Sequence, residues 1–265
     1  MKTEVRLITP SVASEMLKKN SKNRSLNDSH CNYLTQQMNS GQWLFDGQPI
    51  RFSNSGTLLD GQHRLNAVVK SGKTIEFLIV TGIESSAFKV MDTGKNRNGA
   101  DCLSILGVEY SAEVSACARM VINYNKKRYS NESGSNKVTN TDLLDWYKKN
   151  NAIIDKIRFS ENLTKEFSRV LSKSYLASLL HLFSEKNVIQ AENFIRKMCT
   201  GLDLELDSPI YVLRKRLILD KMNKAKLPSS EKMALIIKAW NNYRLNNSVK
   251  FLRWNKASED FPIIK

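Results

Sequence analysis

A chain of 265 residues has room for one large domain or two ordinary ones. With 41% hydrophobic and 25% charged residues, its composition is that of a folded water-soluble protein and excludes the disordered and fibrous classes. Forty-one Lys and Arg against 26 Asp and Glu leave a formal charge of +15, more than solubility requires, and point to a polyanionic partner, most commonly nucleic acid.

Residues 4–8 alternate polar and apolar side chains, as a half-buried strand does. Thr9-Pro10 then supplies an N-cap and a proline at the first helical position, which predicts a helix to about Lys19. The polar stretch 20–27 reads as a loop. After it, Asp28 caps a second helix with the apolar stripe Cys31, Leu34 and Met38, ending at Gly41. Residues 49–52 and 57–59 flank Ser53-Asn54-Ser55-Gly56 as the two strands of a hairpin. From Gly61 the spacing of Leu65, Val68 and Val69 is helical up to Gly72, and the apolar run 75–80 is typical of a buried strand. A helix-like piece over 86–90 leads into the polar turn Met91-Asp92-Thr93-Gly94-Lys95-Asn96-Arg97.

Beyond about residue 98 a 3.6-residue periodicity takes over, with helices predicted over 98–106, 111–127, 141–150, 164–183, 188–199, 209–223 and 229–243. Residues 130–137, rich in Ser, Asn and Gly, read as a loop. The expected architecture is α+β: a small mixed sheet with helices over residues 1–105, followed by an all-helical domain over 106–265 with a basic C-terminal part. Cys31, Cys102, Cys117 and Cys199 are widely spaced and form no C-x-x-C pair, so reduced thiols and no zinc site are expected. The first residues lack an apolar signal region, and no run approaches the ~18 apolar residues of a membrane span. A cytoplasmic protein without a membrane partner is the expectation.

The turn Asp60-Gly61-Gln62-His63-Arg64 carries the chemistry. A strand ends, glycine permits a tight corner, and a helix begins, so the electropositive helix N-terminus faces whatever lies beyond the strand. His63 and Arg64 place an imidazole and a guanidinium fork beside the same anion, and Asp60 suits a divalent metal or the orientation of His63. The bland reading of this turn is a capped helix whose Arg64 pairs with a carboxylate; two cations beside a helix N-terminus weigh against it. Two lookalikes fail on context. Residues 67–74 match a relaxed Walker pattern but lie between a helix and a strand in the wrong order, and Asp92-Thr93-Gly94 lacks the second copy that aspartic-protease chemistry needs. Cys31, although next to His30, sits on an apolar stripe and reads as core.

An apolar strand followed by Gly61-Gln62-His63-Arg64, and preceded by strand, helix and hairpin, resembles the phosphate-binding G-x-H-R or G-x-x-R motif of the ParB/sulfiredoxin superfamily. Asp60-Gly61-Gln62-His63-Arg64-Leu65 is similar to the "DGQHR" ParB-like branch of phages and bacteria, as are Asn23-Arg24, residues 38–43, residues 92–97 and Lys238-Ala239-Trp240-Asn241. The resemblance covers residues 1 to about 105 and the helical remainder loosely. It implies a nucleoside triphosphate, ATP or CTP with Mg2+, bound at this turn, and a host-cytoplasmic setting if the chain is phage-encoded. Members of the superfamily serve as CTP-dependent DNA clamps, as phosphotransferases including a kinase, or as nucleases.

The expected function is therefore that of a nucleotide-binding ParB-like protein acting on or with DNA by phosphoryl transfer or NTP hydrolysis. The alternatives are a non-catalytic nucleotide-switched DNA-binding or clamp protein and a metal-dependent nuclease, and a homodimer is the candidate assembly. Asn23, Arg24, Gly61, Gln62, His63, Arg64, Thr93, Gly94 and Arg97 are the expected nucleotide contacts, with Lys95 adding charge. Asp60, His63 and Asp92 are the expected catalytic groups, with Asp60 and Asp92 as metal ligands. Gln62 stands where sulfiredoxins carry their reactive cysteine, which argues against sulfinic acid repair. No helix-turn-helix of the partition-protein kind is identifiable after the module.

From Ser208 onward the sequence holds thirteen Lys and Arg against four Asp and Glu. Lys238, Tyr243, Arg244, Lys250 and Arg253, interleaved with Trp240, Phe251 and Trp254, are the expected nucleic-acid contacts, with a buried aromatic core as the competing reading.

Overall fold

A computed structural model describes residues 1–21, 23, 25–85, 98–129, 138–163, 167, 170–223 and 226–265. These fall into two compact units, Met1–Asn96 with Glu132–Thr139, and Arg97–Asn131 with Asn140–Lys265. Among the described residues the fold is mixed α+β, helix-rich, with four strands and eleven helices. The division falls before 105, because Leu103 on the helix Gly99–Ile105 is buried with Val114, Cys117 and Ile157 of the second unit.

In the first unit, β1 (Lys2–Ile8), β2 (Pro49–Ser53), β3 (Leu58–Asp60) and β4 (Ile75–Ile83) form one sheet in the order β1-β4-β2-β3. β4 lies antiparallel to β1 and parallel to β2, while β2 and β3 form the antiparallel hairpin. The central place of β4 explains its apolar run. Ile8, Ile50, Phe52, Leu58, Phe77 and Ile79 belong to the same buried core as residues of α1 (Pro10–Leu17), α2 (Asp28–Asn39) and α3 (Gln62–Ser71).

The predicted caps form, with one shift. Thr9 accepts a hydrogen bond from the Val12 N–H, and Pro10 opens α1. For α2 the cap is Asn27, whose side chain accepts from the His30 N–H, and Asp28 occupies the first turn where its charge suits the dipole. Cys31, Leu34 and Met38 are buried as their spacing predicts. On α3 the buried apolar positions are Leu65, Ala67 and Val68, and Val69 faces outward. β1 also differs from expectation. Only Ile8 is buried along it, because an edge strand has a single neighbour to cover it.

The second unit is all helical among the described residues. It contains α4 (Gly99–Ile105), α5 (Ser111–Asn125), α6 (Asn140–Lys149), α7 (Ile153–Leu163), α8 (Lys173–Ser184), α9 (Val188–Thr200), α10 (Pro209–Met222) and α11 (Ser229–Arg244). The predicted helix over 164–183 is corrected to α8, and α7 is a helix that the periodicity missed. Ser172 accepts from the Tyr175 N–H and starts α8 afresh, while Leu163, Phe167 and Leu171 continue an apolar rhythm that disguises the break. Asn98 and Asp101 form a reciprocal capping box on α4. The core centres on Trp240, stacked on Phe183 at 4.4 Å between ring centroids and set edge-on to Phe194 at 5.5 Å. Residues 233–237, 239 and 240 are all buried, so α11 is a central helix with no broad open face to lay in a DNA groove. The segments 86–97 and 130–137, named above as a helix, a polar turn and a loop, lie outside the described residues. Among the described residues no helix is long and apolar enough to cross a membrane.

Candidate functional site

Gly61 makes the corner between β3 and α3 with φ at +106°, a backbone conformation that suits only glycine. A Cβ there would stand 2.4 Å from Ile50 Cδ1 and 3.2 Å from Ile50 Cγ2, and Ile50 is fully buried. The chain therefore turns tightly over β2 and presents the first turn of α3 at the end of the sheet. A left-handed residue followed by helical ones is the backbone pattern of an anion-binding nest.

The side chains around this corner are engaged with their own chain. Asp60 Oδ2 accepts from Arg51 Nη1 at 2.8 Å and from Arg64 Nη2 at 3.0 Å. Arg64 also donates from Nη1 to the Gln48 carbonyl at 2.8 Å and from Nη2 to the Pro49 carbonyl at 2.9 Å. Its guanidinium thus clasps the start of β2 to the first turn of α3, with Asp60 as counter-charge. These contacts match the bland reading of Arg64, an arginine paired with a carboxylate; Arg51, the second partner of Asp60, alternates with buried Ile50 and Phe52 like any outward-facing strand residue, so its spacing carries no sign of the pairing.

Gln62 and His63 are 6% and 7% exposed. Gln62 Oε1 accepts from Asn20 Nδ2 at 3.0 Å, and His63 Nε2 accepts from the Asn27 backbone N–H at 2.9 Å. Nε2 therefore faces a backbone donor within the fold. The His30 ring lies edge-on to His63 at 5.2 Å. Asn23 Nδ2 donates to the Leu58 carbonyl at 2.8 Å and to Asn20 Oδ1 at 2.6 Å, while the Leu58 N–H donates to the Lys19 carbonyl at 2.9 Å. The loop between α1 and α2 is therefore laced to β3 and α3 by Asn20, Asn23 and Asn27. Of these three only Asn23 is among the expected contacts; three asparagines within eight residues are the signal in the sequence for the other two.

Of the predicted nucleotide contacts, the structure brings together Asn23, Gly61, Gln62, His63 and Arg64. Arg24, Asp92, Thr93, Gly94, Lys95 and Arg97 lie outside the described residues. Among the described residues no group of three or more His, Cys, Asp or Glu is gathered as for a metal ion.

The predicted nucleic-acid contacts divide. Lys238 Nζ binds Glu259 Oε2 and donates to the Arg253 carbonyl at 2.7 Å. Tyr243 packs 5.5 Å from Phe194, and Arg244 donates from Nε to Gln190 Oε1 at 3.1 Å with its guanidinium 5.8 Å from the Trp240 ring centre. Trp240 is core, and the Trp254 ring sits against Phe261 with Nε1 donating to the Asp260 carbonyl. Lys250 and Arg253 are exposed, and Arg253 lies 5.3 Å from the ring centre of Phe251, itself 64% exposed.

No protein-family model matches the chain, no curated protein matches it, and no solved structure is similar to it.

Proposed function

We propose that the chain is a nucleotide-binding, DNA-associated protein of the ParB/sulfiredoxin kind, in which the phosphates of ATP or CTP, with Mg2+, lie at the N-terminal end of α3. The observation that carries the reading is the Gly61 corner: a left-handed residue over buried Ile50 that aims a helix N-terminus past the sheet. The asparagine-laced loop beside it supports the same reading, because it brings residue 23 of the predicted phosphate-binding set to that corner. In this reading the first backbone N–H groups of α3 hold the phosphates, since Arg64 is spent on Asp60 and two carbonyls.

The same bonds favour a nucleotide-dependent switch over phosphoryl transfer at this turn. A general base needs a free lone pair, yet His63 Nε2 accepts from the Asn27 N–H, and a metal ion at Asp60 would compete with the two guanidinium bonds on Oδ2. A bound phosphate would add to the bonds that Asn20, Asn23 and Asn27 already make to α3 and β3, and the exposed Lys250, Phe251 and Arg253 would contact DNA.

Equilibrium binding of ATP and CTP to the whole chain, with and without Mg2+ and DNA, tests the proposal. Saturable binding without turnover is expected. Transfer of labelled phosphate, release of inorganic phosphate, or cleavage of DNA would replace the switch with a kinase, an NTPase or a nuclease. Failure to bind either nucleotide would remove the module reading altogether.

A further inference from the structure

The two edges of the sheet are treated differently. β3 is three residues long, and its first residue is bonded to Lys19 and Asn23 of the neighbouring loop. β1 is seven residues long, pairs among the described residues with β4 alone, and is exposed from Lys2 through Leu7. Val5 and Leu7, adjacent on one face, are 56% and 63% exposed. A long, straight edge of this kind leaves a row of backbone N–H and C=O groups open to another strand, and natural proteins usually shorten, cover or charge such an edge.

β1 is charged, but with alternating sign. Lys2, Glu4 and Arg6 share one face, and among the described residues neither Glu4 nor Arg6 has an ion-pair partner. A run of one sign would repel every incoming copy. Here the outcome depends on register. When two β1 strands meet antiparallel about a two-fold axis at Val5, Glu4 of each copy faces Arg6 of the other, Val5 faces Val5, and Leu7 faces Thr3. An axis at Glu4 sets Glu4 against Glu4, and an axis at Arg6 sets Arg6 against Arg6. A two-fold axis between residues is excluded, because residues directly opposite in an antiparallel pair lie on the same face and the axis must fall at a residue. An axis at Thr3 also sets opposite charges together, Lys2 against Glu4, but pairs only residues 1–5, whereas the axis at Val5 pairs all seven strand residues; opposite charges across an antiparallel pair attract and like charges repel, so length and charge together favour the Val5 register.

We propose that β1 is a self-association edge: two copies of the chain pair β1 to β1 about Val5, joining their four-stranded sheets into one of eight, with two Glu4–Arg6 contacts setting the register. The partner is a second copy because the charge pattern is complementary to itself. This proposal stands on β1 alone and does not depend on nucleotide binding at the Gly61 corner. Strand-edge pairing buries less than the ~1,600 Å² of a standard interface, so the dimer is concentration-dependent.

Sedimentation equilibrium of the whole chain, into the high micromolar range, tests it with charge swaps at two exposed positions. Wild type should dimerise. Glu4→Arg and Arg6→Glu, each placing two like-charged pairs across the axis, should each weaken the dimer about tenfold or more. An equimolar mixture of the two single variants restores both attractive pairs, so it should dimerise like wild type, as should the double variant. Circular dichroism of each variant checks that the fold is kept. A monomeric wild type, a dimer indifferent to either swap, or single variants that fail to recover on mixing would each overturn the proposal.

Discussion

Gly61 is the residue on which the corner depends, for two separable reasons. A side chain at φ +106° is strained anywhere, and here its Cβ also meets Ile50. Gly61→Ala should cost about 2–3 kcal/mol in urea unfolding at neutral pH. In an Ile50→Val background, where Cδ1 is gone, the added cost should be smaller, and a double-mutant cycle reads the difference as steric coupling. Arg64 makes a complementary case. Arg64→Ala leaves Asp60 with Arg51 only and strips two carbonyls of their donor, for an expected loss of about 2–3 kcal/mol; Arg64→Lys should recover little, since one ammonium cannot span the three acceptors.

His181 supplies a pH dependence. Burial, helped by Lys156, pulls its pKa down to about 4, and its ring lies edge-on to Trp146. The folded state then binds its proton less readily than the unfolded chain. Stability from this group is full above an unfolded value of about 6.5 and is lost as pH falls from there towards about 4. Allowing for solvent screening, the loss is about 2 kcal/mol, and the stability of His181→Leu, followed by urea unfolding across this range, should lack that component. Asp220 responds lower on the scale. Burial opposes its charge, but the Leu227 N–H and Lys232 outweigh it and hold the carboxyl below the usual range, so its contribution is present above about pH 3.9 and fades as pH falls further. Asp220→Asn should cost about 3 kcal/mol at neutral pH, and the gap to wild type should close in acid.

Among the elements, the helices of the second unit are set by caps. Asn98→Ala removes the acceptor for two N–H groups of α4 and should cost about 1 kcal/mol. α11 shows what an element's surroundings can override. Its sequence mixes lysines with aromatics as a nucleic-acid surface would, yet its buried run makes it the axis of the core. Trp240→Ala should cost about 4 kcal/mol by opening a cavity beneath Phe183, and any loss of DNA binding by that variant should track unfolding.

For the molecule as a whole, the +15 charge predicts DNA affinity that falls steeply with salt. Lys250→Ala and Arg253→Ala should each weaken binding across sequences and lower the slope of log affinity against log salt by about one, while Lys238→Ala, which breaks contacts to Glu259 and Arg253, should act mainly on stability. Fluorescence anisotropy over a salt series separates these outcomes; a flat salt response would remove the polyanion argument.

The hairpin, the Thr9-Pro10 start of α1, the glycine corner and most helices were legible in the sequence, because turn residues, caps and hydrophobic period act within a few residues of one another. α7 and the start of α8 were not, since an apolar rhythm runs through their junction and only the Ser172 cap marks the break. By itself the sequence determined where the chain must turn and which stripe of α2, Cys31, Leu34 and Met38, must be buried. Only the tertiary structure decided that Arg64 clasps Asp60 and β2, that His63 accepts from Asn27, and that Trp240 lies in the core while β1 stands at an open edge. Those outcomes depend on which segments distant in the chain meet, and local propensity carries no information about that.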